Sequence, residues 1–170
     1  QLFTGFVREA SDAGESAERL REEEALTEEI FETSPIAFAV RDAHGQLLRA
    51  NERAAELVGV GEDELSGGGG EQAWTVYDAD GEPLAEAEYP IERVLETGDP
   101  VYNEEVVVER PSGRRVHLSV SAAPVREGEE IRRVVSAAED VTELKESQFE
   151  LERRHEELET ELSEVFSRIA

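Results

Sequence analysis

The chain contains no cysteine, and this absence excludes several kinds of chemistry. Disulfide bonds, thiolate nucleophiles and zinc–thiolate or iron–sulfur sites all need cysteine, so none of them can form here. Methionine is also absent, and the chain begins at Gln1, which indicates a segment cut from a longer protein. No apolar run approaches the ~20 residues of a membrane-spanning helix, and no signal peptide is visible. We therefore predict a cytoplasmic segment.

Basic residues are scarce: 17 basic side chains face 42 acidic ones, the net charge is −25, and Lys145 is the only lysine. Such a surface repels phosphate backbones and anionic lipids, so we expect no binding to nucleic acid and no direct membrane contact. The acid excess covers the whole chain, which favours a halophilic protein whose self-repulsion is screened by salt. An ordinary acidic protein is the alternative interpretation. The hydrophobic fraction of 38% suffices for one core.

The N-terminal sequence predicts two segments that lie outside the hydrophobic core. Residues 1–10 contain a short β-prone apolar run at 2–7, which we interpret as a remnant of a preceding domain's last strand. Residues 11–34 predict a linker helix, because acidic helix-forming sequence carries a thin apolar stripe at Leu20, Leu26 and Ile30. Ser34-Pro35 ends this helix.

Residues 35–139 predict one α+β domain. A turn ending at Gly45 joins strands at 36–40 and 46–50 into a hairpin. Two short helices follow: Asn51 caps the first before Gly59 closes it, and Pro90 begins the second before Gly98 closes it. Three further strands are predicted at 101–109, 114–125 and 131–138. The middle strand alternates, with one face formed by Val116, Leu118, Val120 and Ala122.

Residues 140–170 predict a C-terminal coiled-coil helix, because apolar residues recur with alternating spacings of four and three. The seam comprises Leu144, Gln148, Leu151, His155, Leu158, Leu162, Val165 and Ile169. Gln148 and His155 weaken this seam and are candidates for setting its register. We predict a homodimer through the coiled coil. A single amphipathic helix packed on its own domain is the alternative.

The order of these elements resembles the PAS domain. The hairpin IAFAVRDAHGQLLRAN runs directly into NERAAELVG, the second helix ends in LETGDPV, and RPSGRRVHLSVSAAPV matches the family's penultimate strand. In SAAEDVTELK, the residues Asp140, Val141 and Thr142 occupy the family's Asp-(Ile/Val)-Thr signal junction. The resemblance implies an α+β fold with a five-stranded antiparallel sheet and short helices on one face, flanked by the N-terminal and coiled-coil helices. With this composition, the chain is similar to the tandem-PAS sensor kinases and regulators of haloarchaea.

The resemblance also implies a small organic ligand held between the sheet and the helices. Trp74 and Tyr77 stand out because the chain has few aromatic residues and these two lie in the stretch that usually borders the family's pocket. The full set of candidate pocket residues is Asn51, Val58, Trp74, Tyr77, Val94, Val106, Leu118 and Val120. Plain core packing is the alternative for the apolar members, and helix capping is the alternative for Asn51.

Catalytic motifs are lacking, so we predict no enzymatic activity and no catalytic residue. His155 lies in RHEELETEL, which lacks the downstream basic residue and proline of a kinase phosphoacceptor motif. The glycine run 67–70 is not followed by the Gly-Lys-Ser/Thr of a phosphate loop. The three histidines, His44, His117 and His155, lack metal-ligand spacing. The helix 91–98 offers no histidine for haem, and a cysteinyl flavin needs cysteine, so we expect no metal, no haem and no such flavin.

The resulting interpretation is a sensory signal-transduction module. It relays a change induced by a ligand or partner through a dimeric coiled coil to a downstream output domain. Its partners would be a second copy and neighbouring PAS or kinase modules of the same chain. Two alternatives are a ligand-free dimerisation spacer and the sensor part of a two-component histidine kinase whose catalytic domains lie outside this segment.

Overall fold

The computed structural model describes residues 2–61, 65 and 74–169, with side chains from residue 16 onward. Two long helices flank a mixed core. The helices are α1 (Leu2–Thr33), α2 (Glu52–Val58), α3 (Pro90–Thr97) and α4 (Thr142–Ile169), with a short 3₁₀ turn at Glu86–Glu88. The strands are β1 (Ala37–Asp42), β2 (Leu47–Ala50), β3 (Thr75–Tyr77), β4 (Val101–Glu109), β5 (Arg115–Glu127) and β6 (Glu130–Asp140).

The strands form one antiparallel sheet in the order β2-β1-β6-β5-β4-β3. The first strand pairs with the last, so that Ala37 lies opposite Ala138. The predicted α+β fold is therefore confirmed, with six strands instead of five. The additional strand is β3, which pairs with the far end of β4. Its three residues are too few for an alternating pattern to reveal in a sequence.

Both short helices begin and end at the residues that the sequence indicated. The side chain of Asn51 accepts a hydrogen bond from the backbone N–H of Ala54 at the start of α2. Gly59 ends that helix at φ 75°, in the left-handed conformation that glycine adopts without steric cost. Pro90 lies in the first turn of α3, and Gly98 ends it at φ 72°.

The hydrophobic core lies on the inner face of the sheet, beneath α2 and α3. The predicted alternation of β5 is confirmed, since Val116, Leu118, Val120 and Ala122 are all buried. The larger core cluster joins β3, β4 and β5 to α2. A smaller cluster lies under α3, where Val94 is fully buried. The helices are therefore held on one face of the sheet by apolar burial.

The start of α1 differs from the structure that the sequence predicted. Residues 2–7 were predicted to form a strand, but α1 already begins at Leu2, so this prediction was wrong. A β-prone run needs a sheet edge to pair with, and without one the same residues continue a helix. Their assignment to a preceding domain stays a prediction. The glycine run 67–70 lies outside the described residues.

The outer face of the sheet is partly covered by the ends of the two long helices. The ring of Phe31, in the last turn of α1, stacks on Phe38 of β1 with 6.2 Å between ring centroids. The guanidinium of Arg49 lies 4.0 Å from the centroid of the Phe31 ring and forms ion pairs with Glu28 and Glu32. No helix in the described part of the chain combines the length and apolarity needed to cross a bilayer.

Candidate functional site

A cavity of about 520 Å³ lies between the inner face of the sheet and the helices. This volume falls within the range of small-molecule sites in proteins. Five of the predicted pocket residues line it: Val58, Trp74, Val106, Leu118 and Val120. They come from α2, the segment before β3, and strands β4 and β5, so the fold brings them together from distant parts of the chain. Whether they contact a ligand stays a prediction.

Asn51 does not line the cavity, which corrects its proposed place there. Its side chain is fully buried and makes four hydrogen bonds to the backbone. Oδ1 accepts from the N–H groups of Phe38 and Ala54, and Nδ2 donates to the carbonyl groups of Phe31 and Ile36. The residue therefore joins the end of α1, the start of β1 and the start of α2.

Tyr77 and Val94 also lie away from the cavity wall. Tyr77 is on the outer face of the sheet, where the guanidinium of Arg115 lies 4.3 Å from its ring centroid. Its neighbour Val76 faces inward and lines the cavity instead, because successive side chains of a strand point to opposite faces. Val94 packs against Ala122 and Val134 in the separate cluster beneath α3.

Sequence reasoning missed the polar part of the cavity wall. Side chains with ionisable or hydroxyl groups in the wall are Arg41, Glu86, Tyr89, Glu92 and Ser136. Arg41 and Ser136 are on the inner faces of β1 and β6, and alternation along these strands could have indicated them. Glu86 lies in the 3₁₀ turn, Tyr89 lies between this turn and α3, and Glu92 lies in α3. The sequence pattern there did not indicate a cavity wall.

Tyr89 supplies a neutral hydroxyl group to this wall. Burial, followed by the negative charge of Glu86, raises the pKa of Tyr89, although a hydrogen bond with the backbone of Val76 acts in the opposite direction. Because an ordinary phenol already titrates near pH 10, this side chain stays protonated at neutral pH. It can therefore both donate and accept a hydrogen bond.

The predicted signal junction leads from β6 directly into α4. Asp140 is the last residue of β6, and Thr142 is the first residue of α4. The backbone N–H of Val141 donates to the carbonyl of His117 at 2.8 Å, and the backbone N–H of His117 donates to Oγ1 of Thr142 at 2.9 Å. Both backbone groups of one β5 residue thus fix the position where the helix begins.

The carboxylate of Asp140 strengthens this turn. Its Oδ1 accepts a hydrogen bond from the backbone N–H of Thr142 at 3.0 Å. Burial by itself would raise the pKa of Asp140. The hydrogen bonds from Thr142 and the positive charges of Arg53 and Arg110 outweigh that effect and hold its pKa below the ordinary value. The charged form of Asp140 is therefore the one that the folded junction favours.

Two further contacts dock the first turns of α4 on the outer face of the sheet. Lys145 forms an ion pair with Glu105 of β4, with 2.5 Å between Nζ and Oε2. The ring of Phe149 meets the imidazole of His117 edge-on at 6.5 Å between centroids. We call these two contacts, together with the His117–Thr142 and His117–Val141 hydrogen bonds, the α4 latch. The sequence indicated the junction triplet but not this latch, whose strand partners are distant in the chain.

A family profile described as the PAS fold matches residues 31–146, which is more than half of the chain. The chain belongs to the PAS family. The matched region runs from the last turn of α1 to the first turns of α4, and it contains the cavity and most of the α4 latch.

Solved structures share the PAS fold at low sequence identity. The PAS domain of an HTR-like protein from Haloarcula marismortui is 23% identical with a TM-score of 0.53, over 75% of this chain and 98% of that one. The PAS domain of the fruit-fly ELK potassium channel is 13% identical with a TM-score of 0.52, over 69% of this chain and 96% of that one. A PAS domain from Colwellia psychrerythraea is 14% identical with a TM-score of 0.53, over 70% of this chain and 97% of that one. No curated protein matches the chain.

In this PAS domain the predicted coiled-coil seam is exposed along α4. Its apolar members are all more than half exposed: Leu144, Leu151, Leu158, Leu162, Val165 and Ile169. The two polar seam residues, Gln148 and His155, are exposed as well, and His155 forms an i, i+4 pair with Glu159 at 3.2 Å. Within the described ranges, no group of three potential ligand side chains is placed to hold a metal ion.

Proposed function

We propose that the chain is a sensory PAS module in which occupancy of the cavity changes the position or stability of α4. The observation that carries this proposal is the α4 latch, because it fixes the output helix to the same strands that form the cavity wall. Leu118 lines the cavity and pairs with Asp140, the last residue before the junction. His117, next to Leu118, holds Val141 through its backbone carbonyl and Thr142 through its backbone N–H.

This arrangement gives the cavity a short path to the helix. Ala138 of β6 also lines the cavity and lies two residues before Asp140. A displacement of β5 or β6 at the cavity would therefore reach the latch without passing through a flexible segment. Packed strands transmit such displacements because protein interiors are dense and deform little.

The second part of the proposal is dimerisation through the exposed seam of α4. Successive helical residues are about 100° apart around the axis. The latch residues Lys145 and Phe149 are therefore displaced around the helix from their seam neighbours Leu144 and Gln148. One side of α4 can remain docked on the sheet while the seam side meets a second copy. The latch would then set the orientation of the seam in the dimer.

A cavity-filling substitution tests the coupling without a ligand. Ala138→Leu adds volume at the cavity wall, and Ala79→Leu adds the same volume in an exposed turn after β3. We expect Ala138→Leu to change amide hydrogen exchange of Val141 and of the first two turns of α4, while Ala79→Leu leaves it unchanged. Equal exchange in α4 for both variants, with both folded by circular dichroism, would refute the proposal.

We also propose that the module belongs to a multi-domain sensor that works in high salt, with a histidine kinase or a further PAS domain as output. The net charge of −25 supports the salt requirement. Thermal unfolding followed by circular dichroism should show a midpoint that rises steeply between ~0.1 and ~2 M KCl, because salt screens the repulsion among carboxylates. A midpoint independent of salt would contradict this adaptation.

A further inference from the structure

The cavity wall is apolar over most of its area. Leu57, Val76, Val108 and Leu118 are buried core residues that line it from α2, β3, β4 and β5. Trp74 adds an aromatic surface beside them. At the ~30 Å³ that a water molecule occupies in the liquid, a cavity of about 520 Å³ has room for roughly 17 non-hydrogen atoms. A ligand of that size would bury most of its surface against hydrocarbon.

Charge around the cavity selects against anions. Among the described lining residues Arg41 is the only cation, and its Nη1 already donates to the carbonyl of Gly45 at 2.8 Å. A carboxylate or phosphate ligand would lose its hydration beside Glu86 and Glu92 in a chain of charge −25. That desolvation is costly when no cation is dedicated to the ligand.

The carboxylates do not create a site for a cation either. Glu92 approaches the same glycine as Arg41, so opposite charges meet at the Gly45 end of the cavity. Glu86 belongs to the exposed 3₁₀ turn, where its charge is hydrated. Between these ends, the described residues that line the cavity carry no charged side chain. A buried cation would therefore also lose hydration without a compensating partner.

One buried hydroxyl group is placed to orient a neutral ligand. Ser136 lies on the inner face of β6, is 7% exposed and lines the cavity. Its Oγ donates to the carbonyl of Ala39 over 3.4 Å, a long hydrogen bond, and its lone pairs can accept from a ligand.

We propose that the cavity binds an uncharged, mostly apolar small molecule with one hydrogen-bond donor directed at Ser136. This ligand class rests on the proposed sensory function, and it adds the chemistry by which the stimulus is recognised. The class excludes nucleotides, organic acids and amines.

Three probes of equal ring size and different charge test the ligand class: 2-phenylethanol, phenylacetate and phenethylamine. Trp74 is the sole tryptophan and lines the cavity, so its fluorescence reports binding to the purified chain in molar KCl. We expect 2-phenylethanol to bind at least ~10-fold more tightly than either ion, since each ion must lose its hydration. Ser136→Ala should weaken binding about 2- to 10-fold, the worth of one neutral hydrogen bond. Ser121→Ala, on the outer face of β5, is the matched control.

Several outcomes would overturn the ligand class: tighter binding of either ion, no saturable binding of any probe, or equal affinity in Ser136→Ala and the parent chain. These outcomes are separable from failure of the sensory function, because the Ala138→Leu exchange experiment contains no ligand. A shift of α4 exchange without binding of 2-phenylethanol would retain the sensory function and reject the ligand class.

Discussion

Asn51 gives the sharpest test of how the domain is held to its N-terminal helix. Its side chain is fully buried and makes four hydrogen bonds of 2.9 to 3.0 Å. A hydrogen bond contributes about 0.5–1.5 kcal/mol net to the free energy of unfolding. Asn51→Ala removes four of them, and water can replace only some at this position, so the variant should be destabilised by about 3–5 kcal/mol. That is a large part of the ~5–15 kcal/mol that stabilises a domain.

The Asn51→Asp variant distinguishes a residue that only caps α2 from one that needs all four hydrogen bonds. Aspartate caps isolated helices as well as asparagine does, so a pure cap predicts a change close to zero. In the network, the second carboxylate oxygen would face the carbonyl groups of Phe31 and Ile36, which now accept from Nδ2 at 2.9 Å each. Two hydrogen bonds are lost and a buried charge is added, so we expect about 2–4 kcal/mol of destabilisation at pH 7.

The pH dependence of the Asn51→Asp variant has a definite sign. Burial and the facing carbonyl groups should raise the folded-state pKa of the introduced carboxyl group above its unfolded value of ~3.9. The folded protein then binds more protons, and the deficit relative to the parent chain shrinks as pH falls through the raised pKa. Urea unfolding of both chains at pH 7 and pH 5 measures this difference. A deficit below ~0.5 kcal/mol at pH 7 would refute the network argument.

Three further predictions concern the junction, a turn and the dimer. The pKa of Asp140 is lowered on folding, so the charged carboxylate stabilises the folded chain above the ordinary pKa of ~3.9, and this stabilisation is lost as pH falls through the folded-state pKa. The difference in unfolding free energy between Asp140→Asn and the parent chain, measured with urea, should therefore shrink between pH 7 and pH 3. A difference that stays constant with pH would contradict this expectation. Gly98→Ala should destabilise by about 0.5–1.5 kcal/mol more than Gly81→Ala in urea unfolding, because both glycines have positive φ but only a Cβ at Gly98 displaces the guanidinium of Arg126, which donates to the Gly98 carbonyl. Leu158→Asp should convert a dimer to a monomer in sedimentation velocity, since it places a charge on the seam; a parent chain that is monomeric at every concentration would remove the basis for this expectation.

Local chemistry explains which parts of the fold could be predicted. Gly45, Gly59 and Gly98 mark turns through their own positive φ, and β5 shows its buried face through simple alternation. These signals depend on residues that are neighbours in the chain. Contacts between residues that are far apart in the chain could not be predicted. The sequence indicated Asn51 as a helix cap, but its partners Phe31, Ile36 and Phe38 come close to it only when β1 packs beside α2.

In the candidate site, too, local features could be predicted from the sequence and long-range contacts could not. Val106, Leu118 and Val120 could be predicted to line a cavity because they lie on strands with a clear inner face. Tyr77 was a candidate pocket residue but lies on the outer face of the sheet. Because the sequence did not reveal β3, the direction of its side chains could not be predicted. The α4 latch depends on pairings between residues that are far apart in the chain, such as His117 with Phe149. Sequence spacing carries no signal for such pairings.

The pairing of the first strand with the last has a mechanical consequence. Ala37, near the end of α1, lies opposite Ala138, near the start of α4, so both helices attach at the same end of the β1–β6 pair. Hydrogen bonds of an antiparallel pair run perpendicular to the strands. A pull that separates the two helices would therefore load these bonds one at a time, like a zipper, instead of loading them together in shear. The β1–β6 pair is therefore mechanically weak against tension between the two flanking helices.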